Sequence, residues 1–160
     1  STVGLVGYGS IGREIARLLQ PFGCTILAAK RDVMHPRDTG FTFPGQGDPE
    51  GDLFTRLYPM EAVGSMMKEC DFVIISLPLS PATRGIIGAA ELAMMKPTAY
   101  LIDVGRGGVL DTAAILHVLQ EKKIEESLTE IPLLNYSSTM YLLRIVNNRQ
   151  EIKVFKVVKN

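Results

Sequence analysis

The segment Thr2-Val3-Gly4-Leu5-Val6-Gly7-Tyr8-Gly9-Ser10-Ile11-Gly12-Arg13-Glu14-Ile15-Ala16-Arg17-Leu18-Leu19 decides how the chain is read. An apolar run enters Gly7-x-Gly9-x-x-Gly12 and passes straight into a helical pattern. Strand, glycine turn and helix in that order form the phosphate-binding start of a dinucleotide fold. Gly7 permits the tight turn, Gly9 lets a pyrophosphate approach the backbone, and Gly12 lets helix and strand pack closely. The helix opens with free N–H groups and the positive end of its dipole facing the phosphates.

Working outward, residues 2–7 read as a buried parallel strand and residues 10–19 as an amphipathic helix with Ile11, Ile15, Leu18 and Leu19 on its apolar face. Pro21-Phe22-Gly23 ends that helix, and residues 24–29 form a second strand. Its end carries Lys30, Arg31 and Asp32, about 20 residues past the last glycine, where a dinucleotide fold contacts the adenosine ribose. An acidic residue there bonds a 2′-hydroxyl, and a basic one accommodates a 2′-phosphate. Lys30 and Arg31 come first after the strand, so the reading leans to NADP over NAD. The alternative keeps them as solvated turn charges and gives the ribose to Asp32.

Residues 33–57, rich in proline and glycine, read as a long loop: a flap beside the adenosine end of the cofactor, or a tolerated insertion. Pro59 to Glu69 reads as a helix whose Met60, Val63, Met66 and Met67 fill core. Residues 71–78 form a third strand, with Leu77 and Pro78 at the end that faces a cofactor cleft. Thr83 either caps a turn or meets a phosphate, and Gly88 to Met95 forms a short helix. A fourth strand, 98–104, ends in Gly105-Arg106-Gly107-Gly108, and Asp111 caps a helix over 112–122 that buries Ile115, Leu116 and Leu119. Strand and helix alternate throughout. The expected fold is α/β, a Rossmann-type doubly wound parallel sheet in three layers with right-handed crossovers.

Taken together, four motifs resemble the D-isomer-specific 2-hydroxyacid dehydrogenases: Gly7-Tyr8-Gly9-Ser10-Ile11-Gly12, the run Asp71 to Gly85, Met95-Lys96-Pro97, and Asp103 to Asp111. The resemblance covers residues 2 to about 123 and implies the nucleotide-binding domain of an NAD(P)-dependent oxidoreductase. It places Ser10 and Ile11 on the pyrophosphate, Lys30 and Arg31 at the ribose, Leu77 and Pro78 on the adenosine side, and Val104 and Gly105 near the nicotinamide. It makes Arg106 the catalytic arginine, whose planar fork binds a substrate carboxylate while polarising the 2-oxo group. It also implies a homodimer.

By the same resemblance the family's catalytic glutamate and histidine come after the last matched helix, in a strand motif like Gly-Ala-x-x-Asp-Val and a later Thr-Pro-His, and neither motif occurs here. His35 in the loop and His117 in a helix are not candidates for the general acid. The expected organisation is a dinucleotide-binding domain over 1–123 and a divergent tail over 124–160, with the substrate domain missing. All 15 glycines precede residue 124. About 7% glycine is ordinary, so such a tail would normally hold two or three. The expectation is a tail from another reading frame, a splice form or a fusion. Its segments 140–146 and 152–158 have strand-like content and suggest a hairpin around Asn147 to Gln150 that takes empty sheet positions. The chain alone is then expected to be inactive. The alternative class is a non-catalytic nucleotide-binding or dimerisation module.

A formal net charge of zero gives no bulk field for nucleic acid or an anionic membrane. No apolar run approaches the ~20 residues of a membrane span, and no signal-like segment appears. Cys24 and Cys70 lack metal-site spacing and read as reduced thiols of a cytoplasmic protein.

Overall fold

The computed structural model describes residues 1–105, 107–121 and 154–156. Its strands are β1 (Thr2–Val6), β2 (Thr25–Lys30), β3 (Arg56–Pro59), β4 (Phe72–Ile75), β5 (Tyr100–Asp103) and β6 (Val154–Lys156). Its helices are α1 (Ser10–Leu19), α2 (Val63–Glu69), α3 (Ala89–Met94) and α4 (Thr112–Glu121). The strands form one parallel sheet in the order β3-β2-β1-β4-β5-β6.

Period-two alternation along the strands divides the core into two layers. Val3, Leu5, Ile26 and Ala28 face α1, where Ala16 is buried and Ile15 and Leu19 pack against them. Val6, Leu27, Ala29, Val73 and Ile75 face the other way, onto Val63, Met66 and Met67 of α2, Leu92 of α3 and Ala114 of α4. Each fully buried Leu, Ile or Val contributes about 1.5–3 kcal/mol. Both faces of the sheet are covered, which gives the expected three-layer, doubly wound α/β fold.

Three expectations are corrected. First, the helix expected from Pro59 starts later: Arg56–Pro59 is strand β3, a one-turn 3₁₀ segment follows at Met60–Ala62, and α2 begins at Val63. Only Tyr58 of β3 is buried, so the strand carries too little alternation to stand out, and its edge position tolerates Pro59. Second, Ile11 and Leu18 are more than half exposed. The small residues Gly12 and Ala16 bring α1 close to the sheet and turn Arg13 inward beside them. Third, Leu116 is exposed, while Ala114, Ile115 and Val118 carry the packing of α4.

The segment between β2 and β3 contains no helix. It is the crossover itself, running from Arg31 to Thr55 and lying along α1 rather than standing as a flap. In the tail, Val154–Lys156 pairs with β5 in parallel. The first strand and turn of the expected hairpin lie outside the described residues.

Candidate functional site at the carboxyl ends of the strands

The parallel register brings the expected site residues to one edge. Val6 pairs with Ala29 on one side and Ile75 on the other, and Ile75 pairs with Asp103. Gly7, Lys30, Leu77, Pro78, Val104 and Gly105 therefore follow strand ends that lie side by side. The chain order reverses between β1 and β4, and open α/β sheets bind ligands in the crevice at such a reversal.

The turn after β1 is held by backbone bonds. The Gly7 N–H donates to the Ala29 carbonyl at 3.0 Å, and the Ser76 hydroxyl donates to the Gly7 carbonyl at 3.0 Å. Gly7 has φ +100°, a conformation that side chains resist. A Cβ on Gly12 would stand 2.3 Å from the Gly7 carbonyl oxygen, so this glycine lets the turn close. A Cβ on Gly9 would meet nothing within 4 Å. That open space leaves the backbone at Gly9 accessible in front of the helix start. Ser10 and Ile11 begin α1 and are exposed, the helix has no side-chain cap, and no acidic residue occupies its first turn. Its N-terminal N–H groups suit an anion.

At the end of β2 the Lys30 ammonium donates to the His35 carbonyl at 2.6 Å, and Arg31 is exposed. Asp32 turns into the loop. One carboxylate oxygen lies 2.8 Å from His35 Nδ1 and the other accepts the Met34 N–H, with the His35 contact chiefly holding its pKa below the ordinary value. The His35 ring thus has a local partner in Asp32.

The ends of β4 and β5 are joined by the Val104 N–H donating to the Ile75 carbonyl at 3.0 Å. A Cβ on Gly105 would lie 2.8 Å from the Leu77 carbonyl oxygen, and its N–H donates to Asp103 Oδ1. Thr83 serves its turn: its hydroxyl accepts the Ser80 N–H at 2.8 Å and donates to the Pro78 carbonyl at 2.6 Å. Asp111 caps α4 through the N–H groups of Ala113 and Ala114. Arg106, the expected catalytic group, lies outside the described residues. His117 is exposed on α4.

One cluster escaped the sequence reading. Arg13, 2% exposed, reaches from α1 into the crossover, where its guanidinium donates to the carbonyls of Pro36 and Asp48. Its Nε lies 3.4 Å from Asp38 Oδ2, an ion pair without the alignment of a hydrogen bond. Asp48 is also buried. It accepts the Tyr8 hydroxyl at 2.6 Å and the N–H groups of Gly51, Asp52 and Leu53. Burial alone would raise the Asp48 pKa, but the Tyr8 hydroxyl and those N–H groups outweigh it and hold the value below the ordinary one. Burial first, and then the Asp48 contact, push the Tyr8 hydroxyl well up.

A depressed native pKa means that the ionised form is stabilised by folding. That contribution is complete above the unfolded value of ~3.9 and disappears as pH falls through the native value. Asp48→Asn is therefore expected to lower stability at neutral pH and to flatten its loss in acid. Urea midpoints followed from neutrality to about pH 3 check this, and equal acid slopes in both proteins would contradict it.

Cys70 is buried and its Sγ lies 3.1 Å from the Met66 carbonyl, with burial pushing its pKa up to about 12. No helix among the described residues is long and apolar enough to cross a membrane.

Comparison with known proteins agrees with this geometry. Residues 1–130 match the D-isomer specific 2-hydroxyacid dehydrogenase, NAD binding domain. A glyoxylate reductase of Thermococcus gammatolerans is 36% identical over 120 residues, which are 75% of this chain and 31% of that protein. The NAD-complexed crystal structure of a D-isomer specific 2-hydroxyacid dehydrogenase from Lactobacillus delbrueckii ssp. bulgaricus superposes with TM-score 0.57 at 32% identity, covering 75% of this chain and 32% of that one. An NADPH-dependent glyoxylate/hydroxypyruvate reductase from Sinorhizobium meliloti, solved with NADP and sulfate, gives TM-score 0.56 at 28% identity over 75% and 34% of the two chains. The chain thus spans about a third of the length of these relatives. With the glycine turn and the strand-end crevice both in place, it belongs to the D-isomer specific 2-hydroxyacid dehydrogenase family, of which it carries the NAD-binding domain.

Proposed function

We propose that the chain binds NADP in preference to NAD across the ends of β1, β2, β4 and β5. In this reading it is the cofactor-binding part of an enzyme that moves a hydride between a D-2-hydroxyacid and its 2-oxoacid. The observation that carries the proposal is the pairing of an unobstructed Gly9 with an uncapped helix start at the strand-order reversal. When bound, the nicotinamide supplies or accepts the hydride. The backbone of Ser10 and Ile11 holds the pyrophosphate, Leu77 and Pro78 wall the adenosine side, and Val104 and Gly105 border the nicotinamide. Arg106 binds the substrate carboxylate and polarises the 2-oxo group.

The preference for NADP rests on Lys30 and Arg31 at the end of β2 and on the engagement of Asp32 with His35. The relatives divide, the Sinorhizobium enzyme being named as NADPH-dependent and the Lactobacillus structure holding NAD, so the preference rests on these residues alone. Replacing Lys30 and Arg31 together with alanine is expected to weaken NADP binding about tenfold or more, the weight of one lost charge-assisted contact, and to change NAD binding by less than about twofold. Isothermal titration with each nucleotide checks this, and equal losses for the two cofactors would refute it.

A second copy of the chain is the expected partner. Ile11, Leu18 and Phe22 are exposed along one side of α1 and the turn after it, which supports pairing there; sedimentation velocity tests it, and a monomer at all concentrations would contradict it. The second functional reading, a nucleotide-binding module without catalysis, is favoured by the lack of the Gly-Ala-x-x-Asp-Val and Thr-Pro-His motifs in these residues. NADPH oxidation by this chain in the presence of glyoxylate or hydroxypyruvate would exclude that module.

A further inference from the structure

Tyr8, Arg13 and Asp48 form a buried cluster between α1 and the crossover. Tyr8 stands between Gly7 and Gly9, inside the turn that faces the pyrophosphate in the proposed function. Its ring is 3% exposed, meets the Phe54 ring edge to face at 5.2 Å, and lies 4.9 Å from the Arg13 guanidinium carbon. Its hydroxyl reaches past these apolar and cationic neighbours and donates to the Asp48 carboxylate. That carboxylate is itself fixed by three backbone N–H groups of the crossover. The next residues of α1 hold the same segment: Arg13 grips the Pro36 and Asp48 carbonyls, and Glu14 Oε2 accepts the Gly47 N–H at 2.6 Å. On the turn side, the Arg13 N–H donates to the Gly9 carbonyl at 2.9 Å.

We propose that Tyr8 and Asp48 are positioning residues for the dinucleotide: their hydrogen bond fixes the glycine turn against the crossover, so that Gly9 and Ser10 present their backbone to the pyrophosphate without prior ordering. The inference rests on the cofactor reading above. A turn with three glycines in six residues has wide conformational freedom. Freezing that freedom during binding costs affinity, and a turn already anchored by a buried side chain avoids the cost. The Gly7 end is tied to β2 and β4, while Tyr8 is the side chain that ties the middle of the turn to the crossover.

The experiment measures dissociation constants of NADPH and NADH on the full chain, for the wild type, Tyr8→Phe, Asp48→Asn and the double variant. All are read at a temperature where circular dichroism shows each protein folded. Tyr8→Phe keeps the ring and its contacts with Phe54 and Arg13, so it carries the test even where Asp48→Asn does not fold. Each single variant is expected to bind about fivefold more weakly, the share of a lost hydrogen bond that falls on binding. The double variant is expected to bind no more weakly than the worse single, because Tyr8→Phe removes a bond that Asp48→Asn has already weakened along with the carboxylate's others. NADPH and NADH should lose equally, since both carry the pyrophosphate, unlike the Lys30 and Arg31 pair. A Tyr8→Phe protein with a lowered melting temperature and unchanged dissociation constants would overturn the positioning role and leave the cofactor reading intact, as would losses that multiply in the double variant. A folded wild type that binds neither nucleotide would overturn both.

Discussion

Arg13→Met is expected to lower the stability of the chain by about 3 kcal/mol, because it leaves carbonyls of the crossover without a donor. The methionine stem fills much the same space, so the loss isolates the guanidinium. That group bonds the Pro36 and Asp48 carbonyls, pairs with Asp38 and lies over the Tyr8 ring. A helix in this crossover would satisfy its carbonyls internally. Here the crossover has no helix, and the arginine from the neighbouring helix supplies donors in its place. Orphaning a buried acceptor costs about 1–3 kcal/mol, and the buried Asp48 carbonyl and the part-buried Pro36 carbonyl lose their donor together. Urea unfolding at neutral pH reads the effect. A loss under about 0.5 kcal/mol, the range of an ordinary surface substitution, would mean that the apolar packing of Leu53, Phe54 and Leu57 holds the crossover by itself.

Gly9→Val separates binding from folding more sharply. The backbone at Gly9 is extended, φ −92° and ψ −162°, which any residue adopts, and its Cβ direction is open. Stability should stay within about 0.5 kcal/mol of wild type, as for a substitution that touches nothing. The added side chain occupies the space through which a pyrophosphate approaches, so NADP and NAD binding should both weaken by about a hundredfold or more, roughly 2.7 kcal/mol. Gly12→Ala gives the contrast. Its Cβ would stand 2.3 Å from the Gly7 carbonyl oxygen, so binding and stability fall together. A Gly9→Val protein that binds NADP as the wild type does would place the nucleotide elsewhere.

These contrasts explain what was legible in the sequence. Val3 to Val6, Ile26 to Ala29 and Val73 to Ile75 form short apolar runs bounded by turn residues, and burial on both faces of a parallel sheet produces that pattern. The glycine turn was legible because backbone geometry fixes its residue types. The crossover was not. Its order comes from long-range contacts, Arg13 to Asp48 and Tyr8 to Asp48, and no local period records a contact forty residues away in the chain. A charged residue on an amphipathic helix reads as solvated, so Arg13 gave no signal, although its place directly after Gly12 on the close-packed side of α1 was available. Ile11 and Leu18 misled for the complementary reason: hydrophobic character marked a face that the small residues Gly12 and Ala16 in fact set. The edge strand β3 was lost beside Pro59, which reads equally as the first turn of a helix.

The same distinction orders the site. The residues whose proposed roles depend on backbone position, Gly7, Gly9, Gly12, Leu77, Pro78, Val104 and Gly105, lie at or beside the carboxyl ends of β1, β4 and β5. Lys30 and Arg31 stand at the end of β2, but their selectivity depends on how side chains meet a 2′-phosphate, which backbone position alone does not fix.

In the proposed function these strand ends hold a nicotinamide dinucleotide. Calorimetric titration of the folded full chain with NADPH, NADH and ADP tests it most directly. One saturable site per chain is expected, with NADPH tighter than NADH and both heats lost in Gly9→Val. No heat with either dinucleotide, from a wild-type protein shown to be folded in the same cell, would contradict it.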